Sequence, residues 1–274
     1  MNRYTAMFER LARRDETAFG AFLMLGDPDI ETTAVLLDAV VDGGADMIEV
    51  GIPFSDPIAD GPVIQAAANR ALAAGTRVDD CFRLLSGFRR RHADIPVGIL
   101  TYANLLEARG RDRFCTDAAA AGVDGLLIAD VPTLEAEPFA VAARAAGLDL
   151  TLIAAANTPG QTLTSIARLG SGYTYCVTRA GVTGESRDLA LDHERLFDEL
   201  RQLGTPPPIL GFGISTPYQI RQAAASGAAG VIVGSAIVRL AATGATPKEI
   251  GSFVNSMKAA TRHPTKSAVA TNCT

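Results

Sequence analysis

One short pattern recurs along the chain and restricts its fold more than any other feature. A helix-like stretch ends in glycine, one or two small or acidic residues follow, and a β-rich apolar run begins. The copies are Gly43-Gly44-Ala45-Asp46 before Met47-Ile48-Glu49-Val50, Gly122-Val123-Asp124 before Gly125-Leu126-Leu127-Ile128, Gly147-Leu148-Asp149 before Leu150-Thr151-Leu152-Ile153, and Gly227-Ala228-Ala229 before Gly230-Val231-Ile232-Val233. Glycine just past a helix takes the left-handed conformation that closes the last turn, so each copy marks a tight helix-to-strand connection. Further strands are predicted at 18–24, 95–101, 173–177 and 208–212, which makes eight. They read as apolar runs rather than alternating ones, the signature of a parallel sheet covered by helices.

Between the strands lie helical faces: Ile30, Ala34, Leu37 and Val41; Phe82, Leu85 and Phe88; Leu196, Leu200 and Leu203. A wider gap after the second strand holds two helices, at about 62–74 and 79–91. Segments at about 2–14 and 246–262 are read as helices added to the ring. The economical closure is an α/β fold of (β/α)8 TIM-barrel type, one domain over residues 1–262 with a frayed polar tail at 263–274. An open dinucleotide-binding sheet needs a G-x-G-x-x-G turn after the first strand, where this chain has Leu25-Gly26-Asp27-Pro28.

Composition narrows the function. The chain of 274 residues is 48% apolar and carries a net charge of -5, which supplies a large core and argues against a nucleic-acid footprint. Cys81, Cys115, Cys176 and Cys273 have neither metal-ligand spacing nor the pattern of a disulfide framework. No stretch is apolar over the length of a bilayer, and the first residues lack a signal peptide's apolar core. The expectation is a soluble cytoplasmic protein.

The chain's loops are asymmetric. Helix-to-strand turns are minimal, whereas 51–62 and 178–186, which follow strands, are long and rich in glycine or proline. Barrel chemistry sits at the C-terminal ends of the strands, so these loops lie on the catalytic face. Gly211-Phe212-Gly213-Ile214-Ser215 and Gly234-Ser235-Ala236-Ile237 follow the last two strands, where backbone amides and a short helix commonly hold phosphate. Glu49 lies inside the second strand between Met47, Ile48, Val50 and Ile52. Desolvation there raises a carboxyl pKa toward the range useful for proton transfer, although pairing with an arginine or an outward orientation is also compatible with the pattern. Asp60 is either a reactive loop carboxylate or the cap of the helix that begins at Gly61-Pro62, and Asp56 has the same ambiguity. His92, His193 and His263 lie away from the strand ends and are read as surface residues. No metal site is predicted.

These residues also form long motifs: Glu49 to Pro62, Gly172-Tyr173-Thr174-Tyr175, Arg179-Ala180-Gly181-Val182-Thr183-Gly184, Gly211 to Ser215 and Gly234 to Val238. Over residues 2–262 the chain resembles the α subunit of tryptophan synthase. The resemblance implies retro-aldol cleavage of indole-3-glycerol phosphate to indole and glyceraldehyde 3-phosphate. Glu49 is then the acid–base residue, Asp60 the partner of the indole N–H, and Tyr175 a neighbour of Glu49. Phe22, Leu100, Leu127, Ala129, Ile153, Phe212 and Ile232 line the indole pocket. Gly184, Gly213, Gly234 and Ser235 take the phosphate, with Thr183 in a lid.

The resemblance further implies an α2β2 complex with a β subunit that carries pyridoxal phosphate, no cofactor in this chain, and Pro53 and Asp56 as candidate partner contacts. The chain departs mildly at Ala154-Ala155-Ala156-Asn157-Thr158-Pro159, where the family often has proline. A stand-alone lyase and a non-catalytic barrel subunit are the alternatives.

Overall fold

The computed structural model describes residues 2–177, 189–211 and 213–262. Eight parallel strands, β1 (Ala18–Met24), β2 (Met47–Gly51), β3 (Val97–Thr101), β4 (Gly125–Ile128), β5 (Asp149–Ala155), β6 (Thr174–Val177), β7 (Pro208–Gly211) and β8 (Gly230–Val233), pair in sequence order. Pairing of β1 with β8 closes the barrel. The strands fall close to where the sequence places them, because most are short apolar runs that follow a turn glycine; β3 instead follows Asp94 and Pro96.

Side chains alternate between two dry environments. From β1, Phe19, Ala21 and Leu23 join the layer between strands and helices, while Ala18, Phe22 and Met24 join a separate cluster inside the barrel. On β2, Ile48 and Val50 face the helices and Met47 faces inward. Glu49 has the opposite parity to Ile48 and Val50, and so belongs to the interior. Inward glycines leave room there. A Cβ on Gly51 would stand 2.8 Å from Met24 Cε and 2.9 Å from Phe22 Cζ, and one on Gly211 would overlap the Tyr175 ring.

The outer layer begins with α1 (Arg3–Ala12), whose Tyr4, Met7 and Leu11 plug the N-terminal end of the barrel. The segment between β2 and β3 holds α3 (Pro62–Ala73) and α4 (Val78–Arg91), the latter packed against α2 (Ile30–Asp42). Ile64, Ala67, Ala68 and Ala71 of α3 join the interior cluster, so this helix roofs the mouth beside β1. After β3 come α5 (Ala103–Arg109) and α6 (Arg111–Ala120), separated by Gly110 at φ 87°, a break that was not foreseen. The remaining helices are α7 (Glu137–Ala145), α8 (Gly160–Leu169), α9 (Leu189–Gln202), α10 (Pro217–Ala225), α11 (Ser235–Ala242) and α12 (Pro247–Ala259).

The last helix corrects the sequence reading. Residues 246–262 were expected to add to the ring, but α12 packs against α10 and α2 and is itself the ring's closing member. The short phosphate-site helix expected after the eighth strand is α11, and it is the addition here, packing on α3 and β1. The predicted tail at 263–274 lies outside the described residues.

Acidic residues in the helix-to-strand turns brace the closed end. Asp46, just before β2, accepts the Phe19 N–H of β1 at 2.9 Å and the Lys258 ammonium of α12 at 2.7 Å. Asp124, just before β4, accepts the Val97 N–H of β3 at 2.8 Å and pairs with Arg3 at 2.7 Å and Arg89 at 2.8 Å. Each turn carboxylate therefore ties its own unit to the preceding strand and to a helix. Lys258 also meets Glu16 at 3.0 Å. Partial burial pushes the Glu16 pKa up, but the Lys258 hydrogen bond and the charges of Lys258, Arg262 and Arg14 outweigh it and hold the carboxyl below its usual value.

Removing Lys258 takes the nearer of two cations from buried Asp46 and leaves only Arg10, at 3.6 Å. Lys258→Met is expected to cost about 3–5 kcal/mol in urea unfolding at pH 7. The wild-type pairing to Glu16 is present above the ordinary carboxylate range and is lost as pH falls through the depressed Glu16 value, so the deficit should shrink on acidification.

Candidate active site

Glu49 is 1% exposed, on the inner face of β2 between Phe22 of β1 and Gly98 of β3. Its Oε1 accepts the Tyr173 hydroxyl at 2.7 Å. Burial raises the Glu49 pKa to about 7; the Tyr173 hydrogen bond works against that rise and the Asp60 charge adds to it. Such a carboxyl can give up and recover a proton near neutral pH, because neither form is strongly disfavoured.

Asp60 lies on the loop between β2 and α3. It does not cap the helix: Gly61 is the cap residue and makes no side-chain cap bond, with Pro62 opening the first turn. The Asp60 carboxylate instead accepts the Tyr102 hydroxyl at 2.9 Å. Burial raises its pKa and the Tyr102 bond partly offsets the rise. Tyr175 sits in the field of both carboxylates. Burial first, then the Glu49 and Asp60 charges, hold its phenol well above the usual value, so it remains a neutral hydroxyl.

The expected pocket residues divide cleanly. Phe22, Leu100, Leu127 and Ile232 are buried in the interior cluster, with Ala129 and Ile153 packed half-buried against it. Ala129 and Ile153 also line a cavity of about 270 Å³ above β4 and β5, together with Asp130, Pro132 and Thr151. Phe212, Thr183 and Gly184 lie outside the described residues.

At the opposite side of the mouth, Gly234 is the cap residue of α11 and offers no side chain to its amides. The first helical N–H with an intrahelical partner on Gly234 O is that of Val238, at 3.0 Å, leaving the amides of the first turn and the positive end of the helix available to an anion. Ser235 at its start is exposed, and Gly213 has φ 77° with nothing within 4 Å of a Cβ. Of the two expected partner contacts, Asp56 is exposed and accepts the Ser55 hydroxyl, whereas Pro53 is buried.

One other reading changes. His193 was placed at the surface but is 5% exposed and lies 5.9 Å, ring to ring, from Phe197. His92 follows the expectation more closely, ending α4 with Nε2 2.8 Å from Asp38. Neither sits at the strand C-termini. Among the described residues no group of three or more His, Cys, Asp and Glu is arranged to hold a metal, and no helix is long and apolar enough to cross a membrane.

The family model for the tryptophan synthase alpha chain matches residues 8–268. The chain belongs to the tryptophan synthase alpha chain family. It is 48% identical to the tryptophan synthase alpha chain of Shewanella amazonensis over 95% of this chain and 100% of that protein. The corresponding protein of Vibrio cholerae is 46% identical, over 96% and 100%. Among solved structures, the tryptophan synthase subunit alpha of Legionella pneumophila superposes with TM-score 0.86 at 31% identity, covering 95% of this chain and 98% of that one. A Mycobacterium tuberculosis tryptophan synthase chain superposes with TM-score 0.87 at 29% identity, over 96% and 99%.

Within this alpha-chain barrel, two tyrosines that touch the carboxylates escaped the sequence reading. Tyr173 lies two residues before Tyr175 and shares its strand face, so period-two reasoning was enough to find it. Tyr102 is 42 positions from Asp60, and no local pattern signals that contact.

The burial of Glu49 makes a measurable cost. Its folded pKa lies above the ordinary value of 4.5, so its contribution to stability is intact below that value and is lost as pH rises through about 7. Glu49→Gln is therefore expected to be more stable than wild type by up to roughly 3 kcal/mol at pH 8. The advantage should disappear near pH 4; a difference independent of pH in denaturant titrations would contradict the assignment.

Proposed function

We propose that the chain cleaves indole-3-glycerol phosphate to indole and glyceraldehyde 3-phosphate, as the α subunit of a cytoplasmic α2β2 tryptophan synthase. The observation that carries this reading is the Glu49 carboxyl, buried at the apolar mouth of the barrel with a pKa near 7 and electrostatically linked to Asp60. Membership of the alpha-chain family supports the same reaction.

Glu49, starting protonated, donates to indole C3. That makes the ring cationic at its nitrogen, and the Asp60 carboxylate accepts the N–H hydrogen bond and stabilises the charge. The Glu49 carboxylate then takes the proton from the adjacent side-chain hydroxyl. As the aldehyde C=O forms, the bond between that carbon and indole C3 breaks and its electrons restore the aromatic ring. Glu49 ends protonated, ready for another turn. Tyr175 remains neutral beside this exchange.

The apolar set Phe22, Leu100, Leu127, Ala129, Ile153, Phe212 and Ile232 receives the indole, and Gly184, Gly213, Gly234 and Ser235 the phosphate. Thr183 belongs to the lid. No cofactor is assigned to this chain; pyridoxal phosphate belongs to the β partner, which joins the released indole to serine. The exposed side of the loop around Asp56 is assigned to that partner.

With purified chain and indole-3-glycerol phosphate, Glu49→Gln should lower indole release by roughly a thousandfold while ligand affinity stays nearly unchanged. Asp60→Asn should reduce kcat more than it raises KM. Activity that rises strongly on adding β subunit supports the complex, and full activity alone identifies a stand-alone lyase. No indole with or without β subunit would identify a non-catalytic barrel and overturn the reading.

A further inference from the structure

We propose that Tyr102 is a positioning residue for Asp60: one side chain, rooted at the end of β3, fixes the carboxylate and holds the β2–α3 loop that carries it. Its consequence for rate rests on the role given to Asp60 above.

Three contacts converge on this residue. Its hydroxyl donates to Asp60 Oδ2 at 2.9 Å and accepts the Ala59 N–H at 3.3 Å, and its ring stacks on Phe54 with centroids 5.1 Å apart. The loop is therefore gripped near its start, at Phe54, and near its end, at Ala59 and Asp60. On the other side Ser55, Asp56, Ile58 and Ala59 are exposed, and the Gln65 side-chain amide donates to the Asp60 backbone carbonyl at 2.8 Å, which holds the main chain but not the carboxylate. Tyr102 itself is 2% exposed and precedes α5, whose first amide, Ala103 N–H, is held by Asp130 at 2.8 Å. The support is thus built on the sheet rather than on the loop.

The chemistry of a phenol suits both hydrogen bonds. A hydroxyl has one proton to give and lone pairs with which to accept, so it serves the carboxylate and the amide together. Phenylalanine can preserve the stack but neither hydrogen bond. Burial first, then the Asp60 charge, raises the Tyr102 pKa above its usual value, which keeps the proton in place. Glu49 from β2 and Tyr175 from β6 share the electrostatic field of Asp60, and Asp130 acts on Tyr102 from the β4–α7 loop.

Tyr102→Phe separates hydroxyl from ring. Asp60 should titrate at higher pH in the variant, read by carbon NMR of labelled aspartate with Asp60→Asn for assignment, because the bond that favours the charged form is gone. Indole release should lose roughly tenfold or more in kcat, with KM changing by less than about twofold. In an Asp60→Asn background the same substitution should cause little further loss, whereas a merely structural role would produce the same fold loss in both backgrounds. An Asp60 titration unchanged by Tyr102→Phe overturns the proposal, as does an additive loss in the double variant. If the wild-type chain releases no indole, the titration still decides where Tyr102 acts, so failure of the functional reading remains distinguishable.

Discussion

The structure turns on one desolvated carboxyl. Closing eight parallel strands makes every second side chain face a dry interior, and β2 puts a glutamate in that series. Water cannot stabilise the ionised form of Glu49 there, so its proton is held more tightly than in an ordinary carboxylic acid. The Tyr173 bond moderates this effect, and the negative Asp60 reinforces it. A group poised near neutrality at the mouth of an apolar barrel is suited to moving a proton onto and away from a carbon centre.

The scaffold separates stability from chemistry by placing them at opposite ends. At the closed end, Asp46 and Asp124 accept strand amides and bind cations from α12, α1 and α4. These carboxylates are buried but paired, and they lock neighbouring units together. At the open end, Glu49 and Asp60 meet tyrosine hydroxyls rather than cations among the described residues. That choice leaves their proton affinity high, where an arginine would suppress it. The inward glycines Gly51 and Gly211 keep the same region from filling with side chains.

Much of this was legible in the sequence because it rests on local rules. Turn glycines and apolar runs located the strands; the elaborated loops after strands indicated the catalytic end; and the family resemblance, with strand parity in agreement, placed Phe22, Leu100, Leu127 and Ile232 inside. What depended on chain segments far apart was less accessible. The Tyr102 grip on Asp60, the closure of the ring by α12, and the burial of His193 arise from packing, which periodicity within one segment does not encode. Asp60 illustrates the limit well: sequence rules made it an equally good helix cap, and the structure distinguishes the two roles by placing Gly61 at the cap and Tyr102, just after β3, against the carboxylate. Gly110 also escaped notice, because the break between α5 and α6 interrupts an otherwise continuous helical pattern with a single positive-φ residue.

The most direct test of the central claim is difference infrared titration of the Glu49 carboxyl, with Glu49→Gln supplying the subtraction. The account predicts a protonated carboxyl band that persists through mildly acidic pH and disappears with a midpoint of about 7. Disappearance in the range of an exposed glutamate, near 4.5, would contradict the desolvated site on which the mechanism depends.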